Sequence, residues 1–458
     1  MQYISKFLEL QIEKNPEYPC NDIGIAKLFF DLHSEIICYV IEAKTWYVYN
    51  GQRWVKDDGG FTVMEMCKEF VQDYKEYMET YRPFDEECEK FIAHLHSRRR
   101  RESVLNDARS IKPMSFSEFD KDKMLFNCSN GTYNLSTMEF QPHSQKDYIT
   151  KMSRVNYEAD VSCERWEQFI KEIMCGDEET ARFLQKAFGY CLSGDTSFEC
   201  FFVLYGSTTR NGKSTACETV AHILKDYTRT SQPETLARRS NNGSAPSPDI
   251  ARLKGARYVV TPEPGQSLEL NASVIKQLTG GDTYTGRMLH ENPVEFTPEF
   301  KIFINTNHLP KTSDSTIFSS SRVKLIPFDR HFTPEEQDNG LKHLFRKREN
   351  MSGILNWLIE GYRLLSVEGL TIPPRVEQAI ANYSLENDVT IDFLSKILVK
   401  SDGKRLQTSA IYNRYAAWSK ENGDRPMNCK SFMNELRRRY DIRRDGQRGN
   451  EVLDVDFA

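Results

Sequence analysis

The chain predicts an α/β fold built round a phosphate-binding loop, with an α+β region before it and a small C-terminal unit of helices closing in a hairpin. Three observations predict this. The decapeptide GSTTRNGKST at residues 206–215 follows the apolar run CFFVLY at 200–205 and precedes a helical stretch at 216–224. From residue 201 to about 332, apolar strands alternate with helices, the pattern of a sheet covered by helices. A change of pattern near residue 155 and the pair Pro373-Pro374 divide the chain into 1–155, 156–375 and 376–458. A length of 458 residues suffices for that many cores.

In the first region, WYVYNGQRW at residues 46–54 reads as two short aromatic strands about the Asn50-Gly51 turn. Val63, Met66, Phe70, Tyr74, Tyr77 and Tyr81 then recur at helical spacing and predict a core-facing helix. A second, charged helix is expected over residues 86–101, and Asn130-Gly131 separates strands near Leu125 and Tyr133. Helices at 166–174 and 179–192 lead to the strand before the loop. Further strands are expected at 257–261 and 301–306, with another apolar strand after Arg322. The Ser/Pro/Gly-rich segment 240–248 reads as a loop, residues 354–365 as a helix, and residues 440–457 as a hairpin turning at 445–449.

Composition is that of a soluble chain, 39% hydrophobic and 28% charged, with no apolar run of membrane-spanning length. Charges interrupt the first eighteen residues, so no signal or transit segment is expected there. Eleven scattered cysteines without a CxxC pair predict reduced thiols in a cytoplasm and no zinc ribbon. His94 and His96 read as surface residues of a helix. The net charge of −5 conceals two basic stretches, SRRRRE at 97–102 and LRRRYDIRR at 436–444.

A glycine-bearing turn between a buried strand and a helix wraps a phosphate with backbone N–H groups. Here Gly206, Asn211, Gly212, Lys213, Ser214 and Thr215 would line it, Lys213 neutralising β/γ oxygens and Ser214 ligating Mg²⁺. Five residues separate Gly206 from Gly212, where the common pattern has four. Ligands of open α/β sheets bind at the C-terminal ends of the strands. Two polar residues stand there: Glu263 after RYVVT, a candidate general base or Mg²⁺ support, and Asn307 after KIFINT, able to hold a water or sense a γ-phosphate. Arg322 precedes the next strand, where an arginine can reach a neighbouring subunit's nucleotide. Asp120 and Asp122 are spaced like paired metal ligands, but FDKDK reads as an exposed turn.

The series GSTTRNGKST, LKGARYVVTPEP, IKQLTGGDTYTGR, FTPEFKIFINTNHLP and SSRVKLIPFDRHF resembles helicase superfamily 3, in the phage and plasmid primase-helicase branch that includes the poxvirus uncoating-type ATPases. The form GxTxRNGKST, with its longer gap between glycines, is similar to loops of that branch. AKLFF…WYVYNGQRW and NGTYNLSTMEF look like its N-terminal region, and the chain from Val389 looks like its C-terminal domain. The resemblance implies an AAA+-like hexameric ring that couples ATP hydrolysis, with Mg²⁺, to movement along single-stranded DNA. It implies Lys213 and Ser214 as the Walker A pair, Glu263 as the Walker B acid, Asn307 as the sensor and Arg322 as the arginine finger. Lys276 to Asp282, KQLTGGD, matches the superfamily's own motif, and a hairpin at 285–295 would bring Arg287 and His290 toward DNA in the channel, where Lys276 is also expected to bind, or would send Arg287 to a neighbour's nucleotide instead. One departure is that Pro262, not a second acid, precedes Glu263.

The C-terminal unit itself reads as winged-helix-like. Tyr412, Tyr415 and Trp418 form an apolar stripe, and residues 428–440 a recognition helix offering Lys430, Arg437, Arg438 and Arg439 to duplex DNA, the alternative being a protein partner. No segment matches a primer-synthesising domain, so none of that activity is expected, and a separate primase or other replisome proteins would be partners. The expected function is a replicative helicase of a virus, phage or mobile element. The alternatives are another DNA-directed ATPase such as a packaging motor, or a non-catalytic initiator that uses ATP only to assemble on origin DNA.

Overall fold

The structure is a computed structural model that describes residues 3–81, 86–237, 248–265, 268–287, 293–312, 316–387, 389–421, 426–445 and 449–458. Helices α1 (Ile4–Leu10) and α2 (Asp22–His33) precede an antiparallel sheet of β1 (Ile37–Val40), β2 (Thr45–Tyr49) and β3 (Trp54–Lys56). The β2–β3 hairpin is the one the Asn50-Gly51 turn predicts. Helix α3 (Phe61–Tyr81) buries Val63, Phe70, Tyr74 and Tyr77 on one face, and the Phe7 ring packs edge-on against the last three.

The charged stretch expected as one helix is two, α4 (Glu86–Leu95) and α5 (Arg98–Ala108). Ser97 breaks it by turning extended, its side chain accepting from the Arg100 N–H as an N-cap. His94 is exposed on α4 and His96 just past it. Much of the first basic stretch is engaged within the chain: Arg98 pairs with Glu102, Arg100 with Asp22, and Arg101 with the His96 carbonyl. The expectation of reduced thiols fails at one pair. Cys20 and Cys88 form a disulfide across 68 residues, which the spacing of scattered cysteines has no means of signalling. Nine cysteines are free.

Strands β4 (Leu125–Asn127), β5 (Thr132–Asn134) and β6 (Glu139–Gln141) form a second antiparallel sheet, turning at Asn130-Gly131. Its Phe126 and Tyr133 enter the core shared by α6 (Glu164–Ile173) and α7 (Glu178–Tyr190). FDKDK is not simply an exposed turn. Asp120 is largely buried, pairs with Lys151 at 2.8 Å and accepts from the Thr150 N–H at 2.9 Å, while Asp122 caps Met124. No group of residues among those described could hold a metal ion through clustered His, Cys, Asp or Glu.

The central sheet follows. In chain order the elements are β7 (Phe201–Tyr205), α8 (Lys213–Leu224), β8 (Thr228–Thr230), α9 (Pro248–Ala251), β9 (Tyr258–Thr261), β10 (Glu269–Leu270), α10 (Ala272–Thr279), β11 (Tyr284–Arg287), β12 (Pro293–Phe296), β13 (Lys301–Thr306), β14 (Lys311–Thr312), α11 (Thr316–Ser319) and β15 (Val323–Pro327). Five strands are parallel, in the order β15-β7-β13-β9-β8. Of the four strands expected from apolar runs, three are its interior members and the fourth, after Arg322, is the edge strand β15. Alternate side chains of β7 enter different cores: Phe202 and Leu204 face α7 and α8, while Phe201 and Val203 face α10. The expected segment 240–248 lies almost wholly outside the described residues.

Beyond the sheet come α12 (Leu341–Leu344), α13 (Arg348–Glu368), which packs on α7, and α14 (Pro374–Glu386), whose Tyr383 is buried against the sheet's second core. The last unit contains α15 (Val389–Ile397), β16 (Leu398–Gln407), α16 (Thr408–Glu421), α17 (Cys429–Arg439), β17 (Ile442–Asp445) and β18 (Gly449–Phe457). Phe393, Tyr415, Phe432, Leu436 and Val452 form its core. The expected hairpin is β17–β18. The polar strand β16 joins it on the other side, giving β16-β18-β17, where the sequence suggested only helices before the hairpin. No helix among the described residues is long and apolar enough to cross a membrane.

Candidate nucleotide-binding site

Strand β7 is flanked by β15 and β13, so it delivers Gly206 to the C-terminal edge of the sheet at a fixed position. No side chain fits there. A Cβ on Gly206 would lie 2.4 Å from Asn211 Nδ2 and 2.5 Å from the Phe328 carbonyl. The buried Asn211 side chain donates to the Thr208 carbonyl at 2.6 Å and draws the loop closed. Gly212 takes φ +86, and a Cβ on it would lie 2.4 Å from Ile173 of α6. The first helical bond of α8 runs from Ala216 N–H to the Gly212 carbonyl. The N–H groups of Lys213, Ser214 and Thr215 therefore have no acceptor within the helix, and they face the side where an anion is favoured.

Lys213 is buried and its ammonium donates to the Gly206 carbonyl at 3.3 Å and to Asn307 Oδ1 at 2.7 Å. Burial pulls it down to about 8, with the Glu263 carboxylate acting in the opposite direction. Glu263 is exposed two residues past β9, and its Oε1 accepts from the Asn307 N–H at 3.3 Å. Thus Lys213, Asn307 and Glu263, far apart in sequence, form one bonded series along the ends of three adjacent strands. Ser214 is exposed on the first turn of α8, and Thr215 is half-buried beside it.

Some residues of the site carried no signal. Asn305 Nδ2 donates to Ser214 Oγ at 3.4 Å, a contact that its place after KIFI does not announce. The chain after β15 braces the loop from outside: the Phe332 N–H donates to the Arg210 carbonyl at 2.9 Å, and His331 Nδ1 to the Thr209 carbonyl at 2.9 Å.

Arg322 is not brought to this loop. Val323 pairs with Phe201 and Pro327 with Tyr205, so Arg322 stands at the opposite edge of the sheet. The separation is one strand, roughly 16 Å at about 3.3 Å per residue. Lys276 lies in the last turn of α10 and donates to the Thr316 side chain. The expected hairpin is β11–β12, with Thr285 opposite Glu295. His290 lies outside the described residues, as does the Arg287 side chain. On α17, capped by Asn428, Lys430 and Arg437 are exposed, and Arg439 pairs with Glu435 at 3.0 Å. The Arg438 side chain lies outside the described residues. A cavity of about 610 Å³ between α6, α7 and α13, lined by Glu167, Asp177, Arg182 and Trp357, holds none of the expected residues.

A family model described as D5 N terminal like matches residues 26–175, and another, described as Poxvirus D5 protein-like, matches residues 385–441. The chain is D5-like. The resemblance to the primase-helicase branch that includes the poxvirus proteins is therefore met on both sides of the phosphate loop. This D5-like chain is 28% identical over 457 residues to "Putative helicase L207/L206" of Acanthamoeba polyphaga mimivirus, an alignment spanning 91% of this chain and 47% of that protein. With "Putative helicase 121R" of Invertebrate iridescent virus 3 it shares 24% identity, over 70% of this chain and 38% of the other. The chain thus spans less than half the length of these curated relatives. The apo structure of the NrS-1 C terminal region aligns with 95% of this chain and 99% of its own at 10% identity and a TM-score of 0.47.

Proposed function

We propose that this D5-like chain is an ATP-dependent DNA helicase of superfamily 3, working as a hexameric ring on single-stranded DNA in the replication of a virus, phage or mobile element. The observation that carries the reading is the bonded series Lys213–Asn307–Glu263 at the mouth of a glycine-built loop. Lys213 and the free N–H groups of α8 bind the β/γ-phosphates. Glu263 takes the proton of the attacking water, and Asn307, bonded to both residues, senses whether a γ-phosphate has drawn Lys213 away. Exposed oxygens of Ser214 and Glu263 suit Mg²⁺, which would neutralise phosphate charge when bound.

Arg322 lies too far from this chain's loop to serve it, which supports a role at a neighbour's nucleotide. The parallel order β15-β7-β13-β9-β8 supports an AAA+-like core, and the β16-β18-β17 sheet beside α16 and α17 supports a winged-helix-like unit that binds duplex DNA. The β11–β12 hairpin would hold the single strand. The relatives' names as helicases agree with this reading.

The test is steady-state ATP hydrolysis by the wild type and Lys213→Ala, each with and without single-stranded DNA, at a verified oligomeric state. Turnover that DNA stimulates and the substitution abolishes is expected. No turnover from an assembled ring would favour the initiator reading instead.

A further inference from the structure

The Arg322 guanidinium is held at three points. Nη2 donates to the Glu199 carboxylate at 2.6 Å, while Nη1 donates to Thr279 Oγ1 at 2.9 Å and to the Glu199 carbonyl at 3.2 Å. The two partners differ in kind. Thr279 is buried at the end of α10, and its own hydroxyl proton is committed to the Ile275 carbonyl at 2.8 Å, so its oxygen presents a lone pair to the arginine. Being neutral and fixed, it orients the guanidinium without cancelling its charge. Glu199 lies on the connection between α7 and β7, with a side chain 51% exposed against 16% for Arg322. Its φ is +44, a left-handed backbone, and both its carbonyl and its carboxylate reach the same guanidinium.

Resting on the reading of Arg322 as a residue that serves a neighbouring subunit's nucleotide, we propose that Thr279 aims its guanidinium and that Glu199 masks it until the neighbour's γ-phosphate displaces the carboxylate. A phosphoryl group offers more charge and the same two-oxygen geometry as a carboxylate. An ion pair whose carboxylate is half-exposed is open to exchange with a second anion, whereas the buried Thr279 bond persists through the exchange. Masking keeps an unassembled subunit from presenting a bare cation at its edge, and it makes engagement depend on a triphosphate across the interface. Thr279 and Glu199 are positioning residues in this scheme, since neither touches nucleotide.

Four variants test it: Glu199→Gly, which suits the left-handed backbone and keeps the carbonyl, Thr279→Val, Thr279→Ser and Arg322→Ala. On assembled rings, Glu199→Gly is expected to raise kcat about two- to fivefold, the range of an exposed ion pair. Thr279→Val should lower kcat about tenfold, the size of one lost orienting bond, with ADP affinity unchanged, and Thr279→Ser should restore it. A fall or no change in kcat for Glu199→Gly overturns the mask, and wild-type kcat in Thr279→Val overturns the anchor. Full turnover in Arg322→Ala instead removes the finger assignment beneath both. A readout free of hydrolysis is self-association driven by a slowly hydrolysed ATP analogue, followed by sedimentation. Glu199→Gly should assemble at lower protein concentration and Arg322→Ala at higher, and identical assembly of all variants overturns the proposal.

Discussion

The Lys213 ammonium donates to the side-chain oxygen of Asn307 at 2.7 Å. Because the Asn307 backbone N–H is bonded to Glu263, this residue sits between the proposed phosphate-binding cation and the candidate base. Asn307→Ala should therefore lower ATP turnover about 10²-fold, the scale of losing one oriented group at a catalytic centre. ADP affinity should stay within about threefold, since Lys213 also keeps the Gly206 carbonyl. Parallel turnover and equilibrium binding measurements check this, and equal losses in both would mean that Asn307 acts only in binding.

Lys213 predicts a pH dependence. Burial lowers its free ammonium to about 8, and bound phosphates favour the charged form and raise it. Binding above pH 8 must then take up a proton, so affinity falls as pH rises from 8 toward 10 and is flat below about 7. The limiting slope is about tenfold per pH unit for one proton. Calorimetric titration of Mg²⁺-free ADP across this range measures it. Lys213→Arg, charged throughout, should flatten the profile.

Arg322→Ala should reduce turnover about 10³-fold, as loss of an arginine finger does, with nucleotide binding intact. Mixing it with Lys213→Ala subunits offers a sharper check. Mixed rings place an intact loop beside an intact arginine at some interfaces, so partial recovery is expected from two inactive proteins. No recovery in rings shown to be mixed would mean that Arg322 does not act across the interface.

On α17, Lys430 and Arg437 are exposed. Replacing both with alanine should weaken duplex binding alike on all sequences and reduce the slope of log K against log salt by about 2, roughly 0.9 for each phosphate no longer neutralised. Fluorescence anisotropy at several salt concentrations reads both. Unchanged binding would point to protein docking by this helix.

The Cys20–Cys88 disulfide closes a 68-residue separation. Reduction should lower the stability of the unit containing α1 to α5 by about 2–4 kcal/mol. Urea unfolding with and without reductant measures it, and the Cys20→Ser, Cys88→Ser double variant should be insensitive to reductant.

What the sequence revealed follows from where apolar residues had a single use. The runs 201–205, 257–261 and 301–306 are buried on both faces in the sheet interior, so the composition of each announced a strand. Strand β8, the polar tripeptide Thr228–Thr230, lies on the sheet edge with no side chain that had to be apolar. The strand β16, LVKSDGKRLQ, is mostly exposed and bulged between Lys400 and Arg405. Gly206, Gly212, Lys213, Glu263 and Asn307 were legible because loop and strand ends lie at fixed offsets from those runs. The Glu199–Arg322 pair, the Cys20–Cys88 bond and the Asn305–Ser214 hydrogen bond join residues 68 to 123 positions apart. Such meetings are made by packing, and no local pattern encodes them. At Ser97 the signal was present, a serine opening a run of helix formers, and the helical charge pattern on either side obscured it.

Strand β15 is only five residues long, yet Arg322 enters it and its exit, through Phe328 to Phe332, is bonded to the phosphate loop. In a ring this one stiff element would touch two nucleotides, the neighbour's at its start and the subunit's own at its end. Extended backbone held between sheet partners scarcely stretches, so a pull on Arg322 would arrive at residues 209–210 as displacement rather than being absorbed on the way. Adjacent sites would then be unable to hold triphosphate independently. Their firing order around the circle would be written into the register of a single strand.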